Sequence, residues 1–352
     1  MLKNKLVFVI ALALLSGVFA VNEVAAKTSD ALRINVNFEK TAFLYEESVP
    51  VNVSITNEGK SSVKILRWLT PFDGVKDDLF LVTVDGKPVE YIGAHYKRPA
   101  PTAKDYITIK SGETFDAAVD LAGYYDLSET GFYQVNYRAE AANIFSPNTS
   151  LLDQSDSLKS GIAQTYIEGR ETAPMMEPAD AVSGSTSFTS CSTSRQSSLV
   201  TARNNASTYS NNSYSYLNAG TAGARYTTWF GTYSSTRYST VRSHFLNIRN
   251  AVDTASVRFN CSCTDSAYAY VYPTQPYTIY LCNAFWSAPS TGTDSKAGTI
   301  VHEMSHFNVV AATDDWAYGQ TAAKNLARTN TTRAVDNADS HEYFAENTPA
   351  QP

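Results

Sequence analysis

Between about residues 31 and 167, apolar and polar residues alternate in short runs. Leu32, Ile34, Val36 and Phe38 are separated by Arg33, Asn35 and Asn37, and Val51, Val53 and Ile55 by Asn52 and Ser54. This period of two sends every second side chain to one face of an extended strand. Further runs at 79–82, 106–109 and 131–138 continue the series, with Asn57-Glu58-Gly59, Asp85-Gly86 and Ser111-Gly112 supplying turn residues between them. Short strands at this spacing predict an all-β sandwich of immunoglobulin-like type. The segment holds one histidine, His95, and no cysteine. It shows no clustered chemistry and reads as a folding or binding module.

Beyond residue 188 the period changes. Leu199, Val200, Ala202, Ala206, Tyr209 and Tyr216 fit one stripe of a helix over 197–217, and Val241, Phe245, Ile248 and Val252 one over 234–252. Tyr268, Tyr270 and Tyr272, then Tyr277, Ile279 and Leu281, alternate as two strands around a turn at 273–276. An exposed edge there could hold an extended peptide by strand addition. Ile300, Val301, Met304 and Phe307 return to helical spacing. The second half therefore reads as a mainly helical α+β domain.

Residues 171–187 are rich in Pro, Ser, Gly and Ala without periodicity, which predicts an exposed linker open to proteolysis. The expected organisation is a β-sandwich over 27–170, a processing linker over 171–187 and a second domain over 188–352. Residues 1–26 combine Lys3 and Lys5 with an apolar run from Leu6 to Phe19 and small-residue sites after Ala20 or Ala26. That is the pattern of a secretory signal peptide, too short for a spanning helix. No later run is long and apolar enough to cross a membrane, so a secreted chain is expected.

Composition sharpens this. A chain of 352 residues, 43% hydrophobic and 18% charged, can bury core for about two domains. A formal charge of −6, with the acidic excess upstream of residue 182, argues against a nucleic-acid partner. Cys191, Cys261, Cys263 and Cys282 all lie in the second half. An even count in an exported chain favours disulfides, and Cys261 and Cys263 are too close to bridge each other, so each is expected to pair with an outer cysteine. A structural zinc on all four is the competing reading, although paired C-x-x-C knuckles are lacking.

The candidate chemistry sits at His302-Glu303-Met304-Ser305-His306. On a helix, histidines four apart project from one face and can share a metal, while Glu303, rotated about a quarter-turn, can act as a base toward water at that metal. The all-histidine continuation H-E-x-x-H-x-x-G-x-x-H fails, because Val309 and Ala312 stand where Gly and His are required. A downstream carboxylate must complete the set, and the stretches around Asp314-Asp315 and Asp339-Glu342-Glu346 offer candidates.

Here the chain resembles the aspzincin metallopeptidases, the deuterolysins and the peptidyl-Lys metalloendopeptidases, over essentially all of 190–352. The resemblance rests on the H-E-x-x-H motif, on Thr313, Asp315, Tyr318 and Gly319, and on the four cysteines. It extends to Arg225 with Trp229-Phe230-Gly231, Phe285-Trp286, Gly292 with Asp294, and the run from Asn337 to Asn347. It implies a zincin-like catalytic domain with one zinc on His302, His306 and Asp315. It makes Glu303 the general base and Tyr318 the hydrogen-bond donor to the developing oxyanion. It also implies disulfides Cys191–Cys261 and Cys263–Cys282. Ala312 departs from the usual Gly before the threonine, a change that a negative φ would accommodate.

In the peptidyl-Lys members, residues matching Asp339 and Glu342 line the pocket for a lysine on the C-terminal side of the cut. Three apart on a helix, they would share a face and could receive one ammonium. Competing readings are a solvated acidic face, a broader deuterolysin-like preference, and Glu342 as third zinc ligand in a gluzincin arrangement. The resemblance also makes the strand-rich segment a propeptide that aids folding or holds the enzyme latent. Residues 171–187 contain no lysine, so maturation is expected either by an initial self-cut at the nearest upstream lysine bond, Leu158–Lys159, followed by trimming, or by another protease. The expected product is a monomer acting on proteins or peptides. A reading of a different class is a secreted binding or adhesion protein with a non-catalytic zinc.

Overall fold

The computed structural model describes residues 26–27, 31–140, 144–146, 157–171, 184–220 and 222–352. Residues 1–25 of the predicted signal peptide and 172–183 of the predicted linker lie outside the described residues.

In the N-terminal segment, period-two alternation becomes paired strands. Leu32–Phe38 runs antiparallel to Pro50–Asn57, with Ile34 opposite Ile55 and Val36 opposite Val53. Thr114–Asp120 and Ala26–Lys27 complete this sheet on its two sides. A second sheet runs in the order Ala42–Phe43, Ala163–Ile167, Gly131–Glu140, Phe80–Val84, Lys87–Pro88, with Ser157–Lys159 also on Gly131–Glu140. The inward residues of both sheets, among them Ile34, Val53, Ile55, Val82, Tyr133, Val135 and Tyr137, close on one apolar core. Each such fully buried side chain contributes roughly 1.5–3 kcal/mol. Val63–Leu66 and Tyr106–Ile109 form a separate antiparallel pair. The strand predicted at 79–82 is shifted to Phe80–Val84.

The helices of the C-terminal segment follow the apolar stripes. Thr193–Asn218 packs along Ser235–Thr254, and Leu199, Ala202, Ala206, Val241, Phe245 and Ile248 share a second core. The helix Lys296–His306 starts at Ser295, whose Oγ accepts from the Gly298 N–H at 2.9 Å. It ends at Phe307, where the backbone turns extended (φ −60°, ψ 130°). It lies against both long helices and against the final helix Ala338–Glu346, and its residues from Ala297 to His306 are all buried. A helix covered on every side is a core element. Gly298 permits the close approach, since a Cβ there would meet Glu346 Oε1 at 2.1 Å.

A five-stranded sheet flanks these helices in the order Thr186–Thr189, Val257–Asn260, Thr278–Leu281, Ala269–Val271, His95–Lys97. Two of its members revise the sequence reading. Residues 186–187, assigned to the linker, lie in a strand parallel to Val257–Asn260, because Ser and Thr suit an extended ladder once a partner is present. The last strand, His95–Lys97, comes from the N-terminal segment and pairs antiparallel with Ala269–Val271. That segment is thus not a self-contained module but supplies an edge strand to the other sheet.

Further contacts hold the two segments together. Lys76 Nζ lies 2.7 Å from Asp265 Oδ2, Arg98 Nη1 lies 3.4 Å from Asp265 Oδ1, and Glu90 and Glu140 pair with Asn308 and Arg333. Cys191 is bonded to Cys261 and Cys263 to Cys282, the pairing the family resemblance implies, which leaves no thiolates for a four-cysteine zinc site. Among the described residues no helix is long and apolar enough to cross a membrane.

Candidate metal centre and lysine pocket

The helix Lys296–His306 places His302 and His306 one turn apart, and the loop that follows returns Asp315 to them. His302 Nε2 lies 3.1 Å from His306 Nε2 and 3.3 Å from Asp315 Oδ1, and His306 Nε2 lies 3.4 Å from Asp315 Oδ2. Ligands at about 2.0–2.2 Å around a tetrahedral zinc stand roughly 3.3–3.5 Å apart. The three groups fit that ion. Both Asp315 oxygens are buried without a sound hydrogen-bond donor, as expected of atoms facing a cation.

The outer partners orient the rings. His306 Nδ1 lies 2.6 Å from the Thr313 carbonyl, to which it donates, so its Nε2 lone pair faces inward. His302 Nδ1 lies 3.0 Å from Asp339 Oδ1 and 3.4 Å from Glu342 Oε2. Glu342 therefore approaches the outer nitrogen of His302, which is the wrong side for the gluzincin reading. The loop carrying Thr313 and Asp315 turns through Ala312 at φ +49°. The negative φ that would have suited alanine is not adopted, because the chain must reverse within a few residues to bring Asp315 back over the helix.

Glu303 is fully buried beside the triad, with neither carboxylate oxygen hydrogen-bonded. Burial pushes its carboxyl up to about 7, with His302 and His306 opposing the rise. A buried carboxylate beside the triad is placed to accept and return a proton. Tyr318 is buried too, but its ring packs edge-on against Trp68 of the N-terminal segment, at 6.0 Å between centroids. Its position is thus bound up with the strand-rich part of the chain.

Asp339 and Glu342 project from one face of Ala338–Glu346, as their spacing predicts, but the face is fully buried and not solvated. It is filled by Lys97. The Lys97 ammonium lies 2.5 Å from Glu342 Oε2, 3.6 Å from Asp339 Oδ1 and 3.7 Å from Asp294 Oδ1. Tyr268 and Tyr343 present their rings to it at 4.8 and 5.9 Å. Burial alone would lower the pKa of Lys97, yet Glu342, Asp339 and Asp294 hold it well above the ordinary lysine value. The ammonium is charged and fully desolvated.

The sequence reading brought together His302, Glu303, His306, Asp315, Asp339 and Glu342, and the structure unites all of them. It missed Asp294, His95 and Lys97. Asp294 already belonged to the family pattern and accepts from Tyr343 Oη at 2.6 Å. His95 and Lys97 lie some two hundred residues upstream, in a segment assigned no chemistry, and only the strand pairing carries them into the site. The Leu158–Lys159 bond, the point for the self-cleavage alternative, lies in a strand paired with Gly131–Glu140, with Leu158 fully buried.

Helix-borne histidines, a returning aspartate and an adjacent buried glutamate define a metallopeptidase. The aspzincin family model, described as a lysine-specific metallo-endopeptidase, matches residues 215–346. An extracellular protease of Aeromonas hydrophila is 43% identical over 314 residues, 87% of this chain and 90% of its own length. A peptidyl-Lys metalloendopeptidase of Grifola frondosa is 38% identical over 321 residues, 86% and 89% of the two chains. A solved zinc peptidase from Grifola frondosa is 54% identical, spans 46% of this chain and all of its own, and superposes with a TM-score of 0.45. The chain belongs to the aspzincin family; it is a metalloendopeptidase, and its cofactor is zinc.

Proposed function

We propose that the protein is secreted as a latent proenzyme and, once matured, cuts peptide bonds on the N-terminal side of lysine. Lys97 carries the specificity reading: the chain's own lysine is seated in a closed pocket with Glu342, Asp339 and Asp294 around its ammonium. An incoming lysine of a substrate would find the same three carboxylates. The relatives described as peptidyl-Lys metalloendopeptidases support the same preference. Export is supported by the signal-like N-terminus and by the extracellular protease among the relatives.

His302, His306 and Asp315 would hold the zinc. Bound there, it supplies Lewis acidity that activates water and polarises the scissile carbonyl. Glu303 takes the proton of the attacking water and delivers it to the leaving amine. Tyr318, freed from Trp68, donates a hydrogen bond to the oxyanion. Ala269–Val271 offers its edge to an extended substrate, whose lysine enters the acidic pocket.

The strand-rich N-terminal part, an immunoglobulin-like sandwich, is read as the propeptide. In this state it fills the substrate edge with His95–Lys97 and the pocket with Lys97. Maturation within residues 171–187 would release it. The deciding experiment is a mass-spectrometric map of bonds cut in a mixed denatured protein by the matured enzyme, with chelator and Glu303→Ala controls. Cuts at X-Lys bonds abolished by both controls support the zinc mechanism and the acidic-pocket reading together. Chelator-sensitive cuts without lysine preference would sink the pocket, and no cuts at all would favour a binding protein.

A further inference from the structure

We propose that His95 is a fourth zinc ligand in the latent chain, closing the coordination position at which water would otherwise be activated. The inference rests on the reading of His302, His306 and Asp315 as the other three ligands.

Strand geometry brings His95 there. Ala269–Val271 fixes the register, with Lys97 opposite Ala269 and His95 opposite Val271, and the Tyr268 N–H donates to the Lys97 carbonyl at 2.9 Å. Residues two apart on a strand point to the same side, about 6.7 Å apart along it. Lys97 and His95 therefore face the helix Lys296–His306 together, while Tyr96 packs tilted against Tyr270 on the other face at 4.9 Å. With Lys97 anchored in the acidic pocket, the His95 ring arrives over the metal triad.

Its contacts there suit a ligand. The His95 ring centroid is 4.8 Å from that of His306, and a His95 nitrogen lies within 4.8 Å of ligand atoms of both His306 and Asp315. Asp314 Oδ1 lies 3.6 Å from His95 Nδ1, and the edge of Tyr91 packs on the ring at 5.5 Å. A carboxylate beside Nδ1 leaves Nε2 for the metal, the usual arrangement around a ligating histidine. Four protein ligands make a closed zinc site, whereas catalytic sites keep one position open.

The same arrangement would shield the Tyr96–Lys97 bond. It is an X-Lys bond on a strand laid along the enzyme's edge with its lysine in the pocket, so recognition alone would expose it to cleavage. With His95 on the metal, no activated water reaches it. Lys97 addresses the strand to the site and His95 disarms the site.

The test uses the full-length chain carrying Glu303→Gln, which keeps the precursor intact, reloaded with cobalt as a spectroscopic probe of the metal. With His95 present, azide should leave the cobalt visible bands unchanged, because no position is open. In His95→Ala, and in the shape-conserving His95→Gln, azide should shift those bands, and the metal should pass to a chelator faster. Identical azide shifts in parent and variants, with one cobalt bound in each, would overturn the role of His95 while leaving the triad intact. Failure of the parent to bind cobalt, or binding that survives His302→Ala, would overturn the triad reading and this proposal with it. Lys97→Met tests the anchor: azide should gain access there too, through loss of docking with His95 still in the chain. A closed site in Lys97→Met would remove the lysine from the latch.

Discussion

Asp339 Oδ1 lies 3.0 Å from His302 Nδ1, so the acidic cluster around Lys97 and the proposed metal centre share a carboxylate. The same oxygen is 3.6 Å from the Lys97 ammonium. Asp339→Asn should weaken metal retention by about 10- to 100-fold, the usual effect of removing a partner behind a ligating histidine. It should impair the lysine preference at the same time. Glu342→Gln removes the closest contact to the ammonium but stands farther from His302, at 3.4 Å. It should cost roughly 2–5 kcal/mol in kcat/KM for X-Lys bonds with much less loss of zinc. Chelator competition and peptide kinetics on both variants separate the two effects; equal zinc loss in both would refute the division of roles.

Ala312 has a left-handed backbone at φ +49° in the loop that carries Asp315. A non-glycine residue there costs about 1–2 kcal/mol, of which glycine's extra unfolded-state freedom takes back about 0.5–1. Ala312→Gly should therefore raise stability by up to about 1.5 kcal/mol without changing the ligands. Denaturant midpoints at constant slope measure this, and a lower midpoint would contradict it.

Glu346 accepts from the Ser295 N–H and Oγ, both at 2.8 Å, and from the Asp294 N–H at 3.1 Å. Burial, and then the charge of Glu342, push its carboxyl from 4.5 up to about 9. The folded chain thus binds this proton more tightly than the unfolded chain. Its favourable contribution is complete below about pH 4.5 and is lost progressively as pH rises through about 9. Glu346→Gln imitates the protonated acid. Melting temperatures of the two proteins should diverge between pH 5 and 9 in favour of the glutamine, whereas parallel curves would exclude a protonated Glu346.

The Cys191–Cys261 bond closes a separation of 70 residues and Cys263–Cys282 one of 19. Loop-closure entropy gives about 4 and about 3 kcal/mol respectively. Replacing each pair by serine should destabilise in that order, with the larger effect for Cys191 and Cys261. Denaturation of the two double variants checks the ranking, which the reverse order would defeat.

The legibility of this chain differs sharply between its two kinds of information. Period two in residues 32–38 and 51–55, and the stripe Ile300, Val301, Met304, Phe307, specify local elements whose sides are set by burial, and these were readable. The H-E-x-x-H spacing was readable because helical geometry alone makes its histidines meet. Thr114–Asp120 and Ala163–Ile167 escaped, since their alternation is mixed with half-buried and polar positions and becomes clear only against their partners. His95 and Lys97 could not be read at all. Their importance depends on the register with Ala269–Val271, and neither a three-residue strand nor a lone lysine carries a local sign of its partner.

The pairing of His95–Lys97 with Ala269–Val271 has a consequence for solubility. While the strand is in place, the tyrosine-rich margin of the five-stranded sheet has its backbone N–H and C=O groups satisfied. Were the N-terminal part released, as proposed, Ala269–Val271 would become a bare margin able to pair with an extended chain, including a neighbouring copy. The property proposed to admit substrate would therefore also be a liability at high concentration. The chain with His95–Lys97 in place would then tolerate a crowding that the released form would not, until an extended substrate occupied the margin.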